Sequence, residues 1–142
     1  MENVPVVCIL SCSVTNTINS KILAGTYAGK EVPSVPEYIG SFGVETKINA
    51  KEILDISYRS VGKSYASGDN SNSGFRTHQQ HYVDLRYNLK NGSWDWTANI
   101  NNVLDKKQYD YAVYKPAYLD LYQKTVYPTL GRQLSLTGRS VF

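Results

Sequence analysis

The sequence predicts an all-β protein of antiparallel, up-and-down strands. Two observations carry this. Residues 81–104 alternate apolar and polar side chains strictly on either side of a turn signal, whereas no long stretch places apolar residues at three- and four-residue spacing. The composition is rich in Tyr, Val, Ser, Thr and Asn, with 12 Tyr against 3 Phe and 1 Met. Period-two alternation gives a strand one apolar and one polar face, and β-branched and aromatic side chains fit a pleated surface.

In chain order, residues 6–18 form a weakly patterned strand, and residues 21–35 form a loop punctuated by Gly25, Gly29, Pro33 and Pro36. From Tyr38 to about Ile48, Phe42, Val44, Thr46 and Ile48 share a face opposite Ser41, Gly43, Glu45 and Lys47. A short turn at 49–51 leads to a strand with Leu54, Ile56 and Tyr58 opposite Asp55, Ser57 and Arg59. One pairing sets Lys47 across from Asp55, a favourable cross-strand pair. Residues 61–80 read as a long polar loop.

The 81–104 stretch is the clearest hairpin. Val83, Leu85, Tyr87 and Leu89 alternate with Tyr82, Asp84, Arg86 and Asn88; after Asn91-Gly92, Trp94, Trp96, Ala98 and Ile100 alternate with Asp95, Thr97 and Asn99. Asn-Gly is the strongest short hairpin signal, and as a two-residue loop it sets Leu89 opposite Trp94, Tyr87 opposite Trp96 and Arg86 opposite Thr97. Residues 105–128 read as a second long loop, rich in Tyr, and the last strand runs from Arg132 to Phe142.

A chain of 142 residues suits one domain. Its net charge of +3 comes from scattered basic residues, against a nucleic-acid surface, which clusters them. Cys8 and Cys12 are too few for a disulfide framework. Ile9-Leu10-Ser11-Cys12 loosely resembles a lipoprotein processing site, but Pro5 breaks the apolar run and Glu2 has the wrong charge, so no convincing signal peptide is read. No run approaches the roughly 20 apolar residues of a membrane helix.

Loop lengths alternate. The connections near 50 and 91 are short, and those at 19–37, 61–80 and 105–130 are long, so all short turns lie at one end of the sheet. Transmembrane barrels have this asymmetry, with an aromatic girdle at each interface. Tyr87, Trp94, Trp96 and the terminal Phe142 are the candidate membrane-interface aromatics. A small soluble β-sandwich that binds a glycan or a protein through its Tyr-rich loop also has one apolar and one polar face per strand. Both readings stay open on pattern alone.

Five motifs in order then resemble the C-terminal barrel region of TonB-dependent outer-membrane receptors. Gly29-Lys30-Glu31-Val32-Pro33-Ser34-Val35-Pro36 resembles the family's G-K-x-V-P-x-V-P lead-in to a downward strand. Tyr58-Arg59-Ser60-Val61-Gly62-Lys63-Ser64-Tyr65 resembles its Y-x-x-V-G-K-x-Y strand end, and Tyr82-Val83-Asp84-Leu85-Arg86 its next strand. Asn101-Asn102-Val103-Leu104-Asp105-Lys106-Lys107-Gln108-Tyr109 is similar to N-N-L-F-D-K-x-Y, and Tyr127-Pro128 with Gly131-Arg132 to the Y-x-P-G-R lead into the final strand. Gly138 and Ser140 depart from the pattern, standing where larger apolar residues are usual.

The resemblance covers residues 25–142, with 1–24 an N-terminal segment holding one possible strand. It implies about six C-terminal strands of a transmembrane β-barrel, an incomplete barrel, since the family barrel has about 22. It further implies a fragment of a receptor in the outer membrane of a Gram-negative bacterium, the parent taking up a ferric siderophore or similar nutrient complex. The implied partners are the missing strands and plug, the TonB system acting through that plug, outer-membrane lipid, and the barrel-assembly machinery reading Phe142.

No catalytic constellation is present, so an enzyme is not expected, and no cofactor or metal is assigned. His78 and His81 read as loop and strand-start residues. Residues 69–74 resemble a calcium loop, but Ser71 and Ser73 replace the preferred ligands and Gln80 stands where the bidentate Glu belongs. The candidate ligand-contact loop carries Tyr109, Tyr111, Tyr114, Tyr118 and Tyr122, because Tyr offers flat area with a polar tip. Arg59, Asp84, Arg86, Asp95 and Arg139 are the expected lumen-facing residues.

Overall fold

The computed structural model describes residues 8–16, 21–116 and 122–140. It is all-β: β1 (Cys8–Asn16), β2 (Tyr38–Lys47), β3 (Glu52–Val61), β4 (Gln80–Asn91), β5 (Trp94–Asn101), β6 (Tyr109–Pro116), β7 (Tyr122–Pro128) and β8 (Gln133–Ser140). Six strands form one antiparallel sheet in the order β1-β2-β3-β4-β5-β8, and β6 and β7 form a separate hairpin. The six-stranded sheet is open, with β1 and β8 at its edges.

Side-chain parity is consistent across the sheet. Val44 pairs with Ile56, Ile56 with Leu85, Leu85 with Ile100 and Ile100 with Leu134, a continuous apolar row. On the other face Glu45 pairs with Asp55, Asp55 with Arg86, Arg86 with Asn99 and Asn99 with Ser135. Period-two patterns in neighbouring strands lock together in this way because a one-residue slip would mix the faces.

The structure corrects three expectations. The β4–β5 register is displaced by two residues: Leu89 faces Trp96, Tyr87 faces Ala98, and Asn91 faces Trp94. Asn91 stays in the strand and the loop is Gly92-Ser93. Gly92 takes φ +63° at the first central position, while Ser93 stays at negative φ, so one glycine satisfies a type II′ turn. A shift of two preserves the faces, so the apolar and polar assignments survive. Second, Lys47 pairs with Ile53, and Glu45 with Asp55. A four-residue loop sets this register, with the Ile48 N–H donating to the Glu52 carbonyl at 3.0 Å and the Lys51 N–H to Asn49 Oδ1 at 2.8 Å. Third, residues 105–128 are not all loop, since they contain β6 and β7.

The sheet body is one layer thick. Among the described residues the buried apolar side chains are Ala66, Tyr82 and Ala112, all toward the long-loop end. There the three long connections pack together. The Ser34 N–H donates to the Tyr65 carbonyl, and the Asn72 side chain pairs with the Glu31 backbone through both its amide groups. Ser67 joins β6 through N–H donation to the Ala112 carbonyl and acceptance from the Tyr114 N–H, each at 2.8 Å. Arg76 ties Glu31 and Glu37 together and lies over the Tyr65 ring. The order in this chain is thus held by backbone ladders and a polar loop cap more than by an apolar core.

Candidate functional site

The polar face is concave. A groove of about 650 Å³ runs along it, lined chiefly by polar-face residues of β2 to β5, among them Asp55, Asp84, Arg86, Asn88 and Asn99. By that groove the polar side of the sheet is the hollowed one, and the apolar face opposite is its convex side.

Hydrogen bonds tie the groove wall together across four strands. The Asn88 amide donates to Asp55 Oδ2 at 3.3 Å, Thr97 Oγ1 donates to Asn88 Oδ1 at 2.9 Å, and Arg86 Nε donates to Asn99 Oδ1 at 3.0 Å. The Asn99 amide donates in turn to Ser135 Oγ at 3.2 Å. Asp84 Oδ1 accepts from the Asn102 N–H at 2.8 Å, and the Arg59 guanidinium stacks 4.5 Å from the Tyr82 ring centroid. Asp95 and Arg139 face each other across β5 and β8. All five residues expected on one wall, Arg59, Asp84, Arg86, Asp95 and Arg139, therefore share the concave face. Asn88, Thr97 and Asn99, which complete the wall, follow from the same parity.

The convex face is apolar, exposed and banded. Leu134 and Leu136 retain 73% and 70% of their surface, and Phe42, Ile56 and Tyr58 are also exposed. At the short-turn end the Trp94 and Trp96 rings stack with centroids 5.7 Å apart, and Tyr87 shares this face, paired with Leu54 and Ala98. At the long-loop end Tyr58 Oη meets His81 Nδ1 at 2.7 Å and Tyr38 Oη lies 3.3 Å from Ser60 Oγ. Aliphatic rows lie between these aromatic bands. Phe142 lies outside the described residues.

The tyrosine segment is divided by the structure. Tyr111 packs against Tyr127, centroids 5.9 Å apart, and both rings are exposed. Tyr114 turns the other way, its ring filling the space over Gly74. The Tyr109 carbonyl accepts from Gln80 Nε2. Tyr118 lies outside the described residues, and of Tyr122 only the backbone, in β7, is described. Of the candidate ligand-contact loop, the described Tyr109, Tyr111 and Tyr114 do not form one cluster.

The Asn101-to-Tyr109 motif acquires a physical role. Asn102 is buried at φ +53°, its side chain bonding both the N–H and the carbonyl of Lys106. Asp105, at φ +50°, accepts the Arg132 N–H on Oδ1 at 2.9 Å and so docks the approach to β8. Asn and Asp tolerate the left-handed region better than other non-glycine residues. Gln108, missed in the sequence because a lone Gln carries no pattern, brackets the His81 backbone from both sides. No protein-family model matches the chain, and no curated protein matches it.

Proposed function

We propose that the chain is the C-terminal strand region of a TonB-dependent receptor, lying in the outer membrane with its convex face in lipid and its concave face toward a lumen. The observation that carries this reading is the pairing of curvature with polarity. Soluble sheets and barrels put the apolar side inward. Here the apolar side is convex and, among the described residues, uncovered, an arrangement that suits a hydrocarbon solvent outside and water within. A soluble sandwich would need a second layer over that face, whereas β6–β7 joins the 62–77 connection through Ser67.

Magnitudes agree. Between His81 and Asn91 on β4 there are ten residue steps, about 33 Å at roughly 3.3 Å each. At the usual tilt of about 40° that spans about 25 Å, the height of an outer-membrane apolar band. Two open edges are not tolerated in hydrocarbon, so the sheet requires further strands to close.

In this reading the parent receptor binds a scarce nutrient complex outside the cell, a ferric siderophore by the family's habit, and passes it inward when the TonB system remodels a plug. No bond is made or broken, and six strands alone do not transport. Trp94 and Trp96 are the chain's two tryptophans, which supplies the test. In phosphatidylcholine vesicles carrying quenchers at shallow or deep positions, their emission is expected to be quenched, most strongly by the shallow label. Recovery of a monomer from detergent-free buffer, with emission indifferent to vesicles, sinks the membrane reading. The receptor assignment is tested by the coding sequence upstream of Met1, where further strands and a plug are expected in frame or frameshifted.

A further inference from the structure

Between the start of β4 and the segment following β5 lies a cleft of about 260 Å³, with residues 78–81 on one wall and 106–109 on the other. Two of the residues lining it are lysines and two are histidines; none carries a carboxylate, and every one has a side chain that can donate a hydrogen bond. The bonds that shape the cleft leave the lysine ammonium groups out. The His81 N–H donates to Gln108 Oε1 at 2.6 Å and Gln108 Nε2 donates to the His81 carbonyl at 2.8 Å. Tyr58 Oη engages His81 Nδ1 and orients the ring, so Nε2 is the ring nitrogen outside that bond. Lys106 is fixed through its backbone by Asn102, and both lysine side chains are exposed. The neighbouring acid, Asp105, has Oδ1 occupied by the Arg132 N–H.

We infer that this cleft binds a phosphate monoester, with Lys106 and Lys107 supplying charge and His78 and His81 Nε2 supplying ring donors. A compact dianion matches two ammonium groups with no opposing carboxylate in the lining. Tyr58 and His81 stand on the convex face at the long-loop end, where headgroups lie if that face meets lipid. A lipid phosphate is therefore the expected source. That clause rests on the membrane reading; the phosphate chemistry does not.

The test uses the full chain. In maltoside micelles, inorganic phosphate is expected to move the ring proton signals of both histidines, the only two in the chain, whereas chloride at equal ionic strength does not. Binding to phosphatidylcholine vesicles containing phosphatidic acid is expected to fall roughly thirty-fold in the Lys106→Gln/Lys107→Gln variant, about five-fold for each cation at an anionic surface. Tryptophan emission of the variant, unchanged from the parent, shows that it has folded. Histidine signals that phosphate leaves unmoved overturn the site. Phosphate-sensitive histidines with equal vesicle binding by parent and variant keep the site and overturn the lipid source. Phosphate-sensitive histidines in a chain that binds neither vesicle keep the site and remove the membrane reading.

Discussion

The Trp96 indole lies over Gly138, its partner across β5 and β8, so that a Cβ built at 138 would stand 2.8 Å from Cζ3 of the ring. A glycine inside a strand ordinarily weakens it, and an aromatic ring laid across the bare backbone restores the covered surface. This accounts for a glycine in the apolar face of β8. The same ring stacks on Trp94.

Gly138→Ala therefore displaces the indole, since the obstructing atom is side chain. We predict loss of the Trp94–Trp96 exciton signal in circular dichroism and a stability cost of about 1 kcal/mol, with overpacking typically costing roughly 1–3. An unchanged exciton signal would show that the ring does not depend on the bare glycine.

Gly68 is constrained differently. It sits at φ +90°, and an added Cβ would meet the Tyr114 carbonyl oxygen at 2.5 Å. Both the backbone conformation and the β6 backbone resist, so Gly68→Ala is predicted to cost about 2 kcal/mol or more locally. The expected result is separation of the β6–β7 hairpin from the 62–77 connection, read as new protease cleavage within 105–128 while the β2–β5 amides stay protected from hydrogen exchange.

These contacts also show where the sequence could be read and where it could not. Parity was legible because it depends only on alternation, which β2 to β5 and β8 carry and β1 carries weakly. Register was not, because Asn91-Gly92 is compatible with two turns, and whether Asn91 or Gly92 takes the first positive φ moves the pairing by two residues. The Lys47–Asp55 attraction lost to the geometry of the 48–51 loop, since an exposed charge pair contributes little. The alternation of Tyr109, Tyr111 and Val113 with Ala112 and Tyr114 was present, but Tyr occupies both faces and Pro116 and Pro128 end the runs, so β6 and β7 looked like loop. Gln108 and Asn102 act through tertiary hydrogen bonds that no local pattern encodes.

Asp69 is 1% exposed and accepts bonds from Ser71 Oγ, the Ser73 N–H and the Gly74 N–H, at 3.0, 3.1 and 2.8 Å. Those donors satisfy the carboxylate. Asp69→Ala is predicted to leave two amides without their acceptor, costing about 1–3 kcal/mol. Hydrogen exchange at residues 73 and 74 should accelerate strongly, with Asp69→Asn intermediate because one oxygen remains. Calcium is expected to leave the exchange rates of the parent chain unaltered; a calcium-dependent slowing would assign the loop a ligand after all.

The two faces of β5 and β8 permit the sharpest comparison. Leu136 pairs with Ala98 inside the aliphatic band of the convex face, and Thr97 pairs with Thr137 one step away on the concave face. In water Leu136→Arg should be close to neutral or favourable, because the side chain is already largely exposed. In a bilayer the same change places a guanidinium against hydrocarbon, at a cost of about 2–4 kcal/mol near the midplane. Thr97→Arg, facing the groove, forfeits the bond to Asn88 at about 1 kcal/mol but costs the same in either setting, because the new side chain meets water in both. Denaturant titrations of both variants in phosphatidylcholine vesicles are therefore expected to show a large loss for Leu136→Arg and a small one for Thr97→Arg. Equal midpoints for the two variants would mean that the convex face does not meet lipid, because the penalty depends on the solvent touching that side chain and on little else.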